Sequence, residues 1–275
     1  MMARYMVPSE AENFLTTLIE RLFAEPSKKA GVTLADFMPS GLRGQSLEES
    51  LKQQPVNCSL LANLFAPRGR GRLPDGFATA KLLNSMYQRK GMRRLHTTVL
   101  SLQRRIEEKV GATTFILKTQ TPLLVEHTGP LGLPTFPLHP LWGIPFVPAR
   151  VVKGALRGYL MDSGRVDEAE RVCGTPKKRG EAVFFDAYPA KSADMKVGCE
   201  IFCAHNWLYH EGGAPTDWHE PRILLFGCVP AGVKIRFSVA GQAGIAQLLE
   251  EALLRRGIGA RRALGYGHFT QETAG

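Results

Sequence analysis

Between residues 113 and 270 the apolar side chains switch repeatedly between a period of two and a period near 3.6, and the order of those switches confines the chain to few folds. Val233, Ile235, Phe237 and Val239 alternate with Lys234, Arg236 and Ser238, which predicts a half-buried strand with a basic outer face. Ile245, Leu248, Leu249, Ala252 and Leu253 follow at i, i+3, i+4, i+7, i+8, which predicts one buried helical stripe over 241–256. Upstream, the run from Thr113 to Lys118 opens a strand, and Val151, Val152, Ala155, Leu156, Tyr159 and Leu160 line a helix over 149–161. Val183 to Pro189, VFFDAYP, reads as a strand, as do parts of 196–208 and 223–229, and a short last strand starts near 267.

Strand, helix, several strands, helix, strand is the order of a ferredoxin-like α+β unit, expected over 111–275. Residues 1–110 read instead as a helical extension. Ser9 and Glu12 form a capping box ahead of Phe14, Leu15, Leu18, Ile19, Leu22 and Phe23, and Glu25-Pro26 ends that helix. Residues 39–76 are loop-rich and contain Arg68-Gly69-Arg70-Gly71-Arg72. Two helices follow, over 77–90 and 92–110, the second carried by Leu95, Val99, Leu102 and Ile106. On it Arg93 stacks above Arg104 and Arg94 above Arg105, a stripe for tracking phosphates or a solvated face.

The formal net charge of +10 and a pI of about 9.6 favour a polyanionic partner, nucleic acid before anionic membrane. No apolar run approaches the roughly 18 residues that would span a bilayer, and the opening MMARYMVPSEAE has no signal-peptide core. Five cysteines with no paired framework fit a reduced, cytoplasmic compartment.

The predicted C-terminal helix runs straight into Gly257–Gly267, GIGARRALGYG. Glycine lets another backbone come close, arginine offers a planar fork for phosphate, and tyrosine offers a face for a base. The loop leaves the negative end of a helix and lacks GK[ST], so it is not a P-loop, and anion affinity must come from Arg261, Arg262 and loop amides. The alternative is that Gly257 caps the helix and the other glycines shape a turn. In Gly143–Leu160, Lys153 and Arg157 share a helical face, with Arg150 beside Arg157 and Pro148 at the helix start, where free amides favour an anion. That segment is either an RNA-backbone clamp or an ordinary amphipathic helix with solvated charges.

Catalytic and metal signals are thin. His127 and His139 sit in the long loop after the first strand and titrate in the range of a general base, but no nucleophile or partner base accompanies them. Cys199, Cys203, His205, His210 and His219 raise zinc, yet the spacing is not a CxxC pair, and two residues four apart on a strand stand about 13 Å apart. Asp186 has no second carboxylate beside it, so a two-metal nuclease is unsupported. No catalytic residue, metal, cofactor or small-molecule substrate is expected.

Four segments in order resemble the RAMP proteins, the repeat-associated subunits of CRISPR effector complexes. They are the IPFVPARVVKGALR helix (144–157), the VFFDAYP strand, the AHNWLYHEGGAPTDWHEP segment (204–221), and the final helix with GIGARRALGYG. The third is similar to the sixth RAMP subunit class of type III-B (Cmr) complexes. Pro148-Ala149-Arg150 stands where the family often has Gly-Ser-Ser, so Arg150 takes the place of hydroxyl contacts. The resemblance implies an RRM-like core in a ribonucleoprotein of antiviral defence, capping or extending a backbone filament along crRNA, with target RNA and other Cmr-type RAMP subunits as partners. It implies that Arg150, Lys153, Arg157, Gly259, Arg261, Arg262, Gly265, Tyr266, Gly267 and His127 lie along the RNA. Filament subunits that cleave RNA use an aspartate after the first strand; Glu126 to Trp142 contains none, which implies no intrinsic nuclease. The alternative is a metal-independent endoribonuclease that matures precursor crRNA with His127 or His139 as base, and a weaker one is a peripheral membrane protein.

Overall fold

The computed structural model describes residues 55, 57–59, 76–125, 136–204, 212 and 222–271. The capping box at Ser9 and Glu12, the Arg68–Arg72 stretch, His127, and most of the 204–221 segment lie outside the described residues. In chain order the elements are α1 (Gly76–Tyr87), α2 (Lys90–Val110), β1 (Thr113–Thr119), α3 (Ala149–Asp162), α4 (Val166–Cys173), β2 (Gly174–Thr175), β3 (Lys178–Arg179), β4 (Val183–Phe184), β5 (Tyr188–Pro189), β6 (Gly198–Ala204), β7 (Arg222–Cys228), β8 (Lys234–Ala240), α5 (Ile245–Arg256) and β9 (Phe269–Gln271). The main sheet is antiparallel in the order β4-β8-β1-β9, with β5 also paired to β8. Thr113 faces Val239 across the β1–β8 ladder, and Leu117 faces Gln271 on the other side of β1. β2 with β3 and β6 with β7 form separate hairpins. The protein is thus α+β with antiparallel sheets.

One face of the main sheet builds the largest core. Leu117, Ile235, Phe237 and Val239 pack against Val152, Leu156 and Leu160 of α3 and Leu249, Ala252 and Leu253 of α5. Phe237 is fully buried and stacks on Phe115 at 5.7 Å and edge-on to Phe269 at 5.5 Å. Burying such a ring contributes on the order of 3 kcal/mol. The stripe on α5 is as the periodicity predicts, but the helix begins at Ile245, because Gly244 at φ 92° holds a left-handed conformation that a helix cannot enter.

The opposite face corrects two expectations. β8 is not half-buried with a basic outer face: Arg236 is 7% exposed and Ser238 1%. α2 covers them, and Glu107 takes the Arg236 guanidinium in a two-pronged ion pair, with Thr114 Oγ1 accepting a further bond at 3.1 Å. The buried side of α2 is accordingly Met92, His96, Val99, Leu100 and Glu107, whereas Leu102 and Ile106 are 46% and 57% exposed. Arg93, Arg94, Arg104 and Arg105 all face outward.

VFFDAYP is also not one strand. It leaves β8 around Asp186, where Ala187 and Val147 exchange backbone bonds at 2.8 and 2.9 Å, and rejoins at Tyr188. α1 and α2 share a second core with later segments, in which Tyr87 and Met92 meet Leu138, Ile144 and Met195. Tyr87 donates to the Gly143 carbonyl at 3.0 Å, and Asn84 exchanges two bonds with the Val197 backbone at 2.8 and 2.9 Å.

Candidate nucleic-acid interface

α5 ends at Arg256, and Gly257 caps it by donating to the Leu253 carbonyl at 3.0 Å. The chain then doubles back along the segment after β1. Ala260 N–H donates to Leu124 O at 2.7 Å, Gly267 N–H to Pro122 O at 2.9 Å, and Ile258 N–H to Gly267 O at 2.9 Å. A methyl group at Gly259 would collide with the Leu124 carbonyl, and one at Gly267 with the Ile258 carbonyl, so this close approach requires glycine.

At the turn's far side Arg261 adopts φ 56°, the one non-glycine positive φ among the described residues. Its guanidinium lies 3.9 Å from the centre of the Phe202 ring and 4.5 Å from that of Phe226, on the β6–β7 hairpin. Tyr266 O–H reaches Glu200 Oε2 at 3.4 Å on the same hairpin, and burial together with that carboxylate raises the phenol's pKa.

The other side of the loop faces α3 across an open cleft of about 320 Å³. Val151, Gly154 and Ala155 form one wall; Arg256, Gly259, Ala260 and Arg262 belong to the other. Partial burial and the neighbouring Arg256 lower the pKa of Arg262, a guanidinium that stays charged near neutrality. Arg256 crosses to α3, donating from Nε to Asp162 Oδ2 at 2.7 Å, and its guanidinium lies where a side chain at Gly158 would have to be. Val125 also lines this cleft, at the edge of the described residues before His127.

The N-terminus of α3 already has an anion. Asp186 Oδ1 accepts the Ala149 amide at 2.7 Å, which is why the β4–β5 segment breaks at that residue. Arg157 is turned inward, donating from Nη1 to the Gly174 carbonyl at 2.7 Å. Arg150 and Lys153 are exposed on a second cleft, of about 470 Å³, with Lys177, Lys178 and Arg179 of the β2–β3 hairpin. The predicted residues are therefore spread over three places. Gly259 and Arg262 meet α3, Arg150 and Lys153 meet the hairpin, and Arg261 and Tyr266 grip β6–β7. Sequence reasoning missed Arg256, the PKKR run, and the two phenylalanines beneath Arg261; only the PKKR run carried a visible signal.

His139 Nδ1 accepts the Leu141 and Trp142 amides at 3.2 and 3.3 Å, inside a ring cluster with Trp142, Phe146 and Tyr188. Burial lowers its pKa, with Asp186 pulling the other way. Burial pushes the Cys58 and Cys228 thiols up to about 12. Among the described residues no group of three or more His, Cys, Asp or Glu is placed to hold a metal ion, and no helix is long and apolar enough to cross a membrane.

An antiparallel α+β core that carries a glycine-built, cationic cleft between α3 and the loop that follows α5 defines the class. Residues 116–270, more than half of the chain, match the RAMP superfamily model, and the chain belongs to that superfamily. It is 34% identical over 119 residues to the CRISPR system Cmr subunit Cmr6 of Pyrococcus furiosus, covering 38% of this chain and 35% of that protein. It is 25% identical over 169 residues to the CRISPR system CMR subunit Cmr6 of Saccharolobus solfataricus, covering 58% of each. The chain thus spans less than two thirds of the curated relatives it matches. Its fold is similar to a chain in the cryo-EM structure of the Type III-B Cmr-beta bound to cognate target RNA, with a TM-score of 0.56, 20% identity, and coverage of 96% of this chain and 89% of that one.

Proposed function

We propose that this protein is a non-catalytic, crRNA-binding backbone or capping subunit of a type III-B CRISPR RNA-guided interference complex, working in the cytoplasm beside other Cmr-type RAMP subunits and contacting target RNA. The observation that carries the reading is the convergence of α3 and the glycine loop on one cleft that holds Arg256 and Arg262. The names of the two Cmr6 relatives support the assembly, and the order β9-β1-β8-β4 supports a ferredoxin-like core, with the strand order that β-α-β-β-α-β connectivity produces. α2 lies over the sheet face on which RRM proteins stack bases, so RNA runs instead along the loop and α3.

In this reading Arg150, Lys153 and Arg262 meet phosphates, Gly259, Gly265 and Gly267 shape the loop, and His127 lies near the ribose. Arg157, Arg261 and Tyr266 hold the hairpins in place. The 1–110 segment contacts a neighbouring subunit. The absence of intrinsic cleavage is supported by His139, whose Nδ1 lone pair is already occupied by two amides. Purification of the tagged full chain with its bound partners, followed by RNA sequencing, is expected to return guide RNA and RAMP subunits. Recovery of the chain alone, or site-specific cleavage of repeat RNA by it in EDTA, would overturn the proposal.

A further inference from the structure

The β2–β3 hairpin has no part in the cleft between α3 and the glycine loop, yet it is built with care. Thr175 Oγ1 accepts the Lys177 and Lys178 amides at 3.3 and 3.1 Å, which fixes the turn. Gly174 at φ 81° lies so close to the returning strand that an added methyl would stand 2.5 Å from the Gly180 amide nitrogen. Arg157 pins the hairpin base through the Gly174 carbonyl. A solvated lysine run needs none of this.

The turn holds Lys177, Lys178 and Arg179 exposed opposite Arg150 and Lys153 of α3, across the cleft of about 470 Å³. Among the described residues no carboxylate lines that cleft. The nearby acids are engaged elsewhere: Glu181 pairs with Arg171 at 2.9 Å, and Asp186 caps α3. Lys153, Lys177, Lys178 and Arg179 form no ion pair with any described residue. The half-buried Phe184 ring lies in the same cleft.

We infer that this cleft is a second RNA site, which takes the phosphodiester backbone of a single strand along Lys153 and the Lys177–Arg179 turn with a base against Phe184. The inference rests on the RNA-binding reading above and adds to it a hairpin that reading does not use. Cations from two rigid elements converging beside an aromatic ring suit alternating phosphates and bases, whereas an acidic peptide would have no use for the ring.

The test is fluorescence anisotropy of the full chain with a labelled single-stranded RNA over a salt series. Three charges removed in K177Q/K178Q/R179Q should flatten the log-affinity against log-salt slope by about 2, at roughly 0.7 per phosphate contact. K177R/K178R should keep the parent slope, and R262A should weaken binding independently. An unchanged slope in the triple variant, with R262A weakened, overturns the second site and leaves the first. No RNA affinity in the parent chain overturns both. If poly-glutamate binds the parent as tightly as RNA and the triple variant loses it, the cleft belongs to an acidic protein and the inference fails.

Discussion

Glu107 and Arg236 lie 129 residues apart in sequence and meet between α2 and β8 almost shielded from water, with side chains 4% and 9% exposed. Removing one partner strands the other charge, so Glu107→Ala should cost about 3–5 kcal/mol in urea unfolding, and a Glu107→Leu, Arg236→Met double replacement should cost less than that single change. Burial alone would raise the Glu107 carboxyl, but hydrogen bonds from Arg236, Ser238 and Gln103 and the Arg236 charge hold it below its ordinary 4.5. Its contribution is therefore intact above pH 4.5 and lost as the pH falls through its lower folded value. His96 acts earlier on the same side. Burial lowers its pKa below 6.5, with ring nitrogens 2.8 Å from Pro189 O and 3.2 Å from Ser192 Oγ, so the unfolded chain takes up a proton that the folded one resists. Stability measured against pH should decline first from about 6.5 downward, through both His96 and His139, and again below 4.5. His96→Gln should reduce the first decline and leave the second. None of this was legible in the sequence, where Arg236 reads as an outward residue, because spacing shows a face and not what covers it.

At the level of elements, local signals survived and nonlocal ones did not. The α5 stripe was readable because its five apolar positions lie within nine residues. The division of VFFDAYP was not, because it depends on Asp186 reaching a helix amide at Ala149. The glycine loop lies between these cases: its cap and turns follow from composition, but the backbone it presses against, Pro122 to Leu124, does not. Its glycines should therefore divide into two groups. Gly265 sits at φ 89° with open space around it, so Gly265→Ala should cost only left-handed strain, about 1–2 kcal/mol. Gly259→Ala and Gly267→Ala add a collision with a carbonyl and should cost clearly more, with the loop lifted from the segment after β1. Urea midpoints of the three variants, with amide exchange at Ala260 and Gly267 as the local reporter, check the order. Equal losses at all three positions would mean that the close approach does not hold the loop.

Across the whole molecule, the described residues give the β6–β7 hairpin a far smaller apolar cluster than the main sheet has. The main sheet and its helices share a large core, whereas beneath the hairpin, among the described residues, Leu124, Phe226 and Cys228 are buried together, with Phe202, Ala260 and Tyr266 packed around them. α1 also touches the hairpin, at Gly76 against Cys199. Beside the Tyr266–Glu200 bond, the hairpin is linked to the glycine loop by Arg261, whose left-handed backbone places its guanidinium against Phe202 and Phe226. A non-glycine residue pays for that conformation, and the return is a hairpin held in register with the glycine loop. Two ring contacts at about 0.5–1 kcal/mol each amount to roughly a 5- to 30-fold change in a local opening equilibrium. Arg261→Gly removes the contacts and relieves the strain, so global unfolding should shift little. Amide exchange in β6 and β7 should accelerate by that factor while β1 and β8 keep their protection. Uniform acceleration through both sheets would instead make Arg261 part of the common core, and unchanged exchange in the hairpin would leave α1, Tyr266 and the Leu124 cluster as its supports.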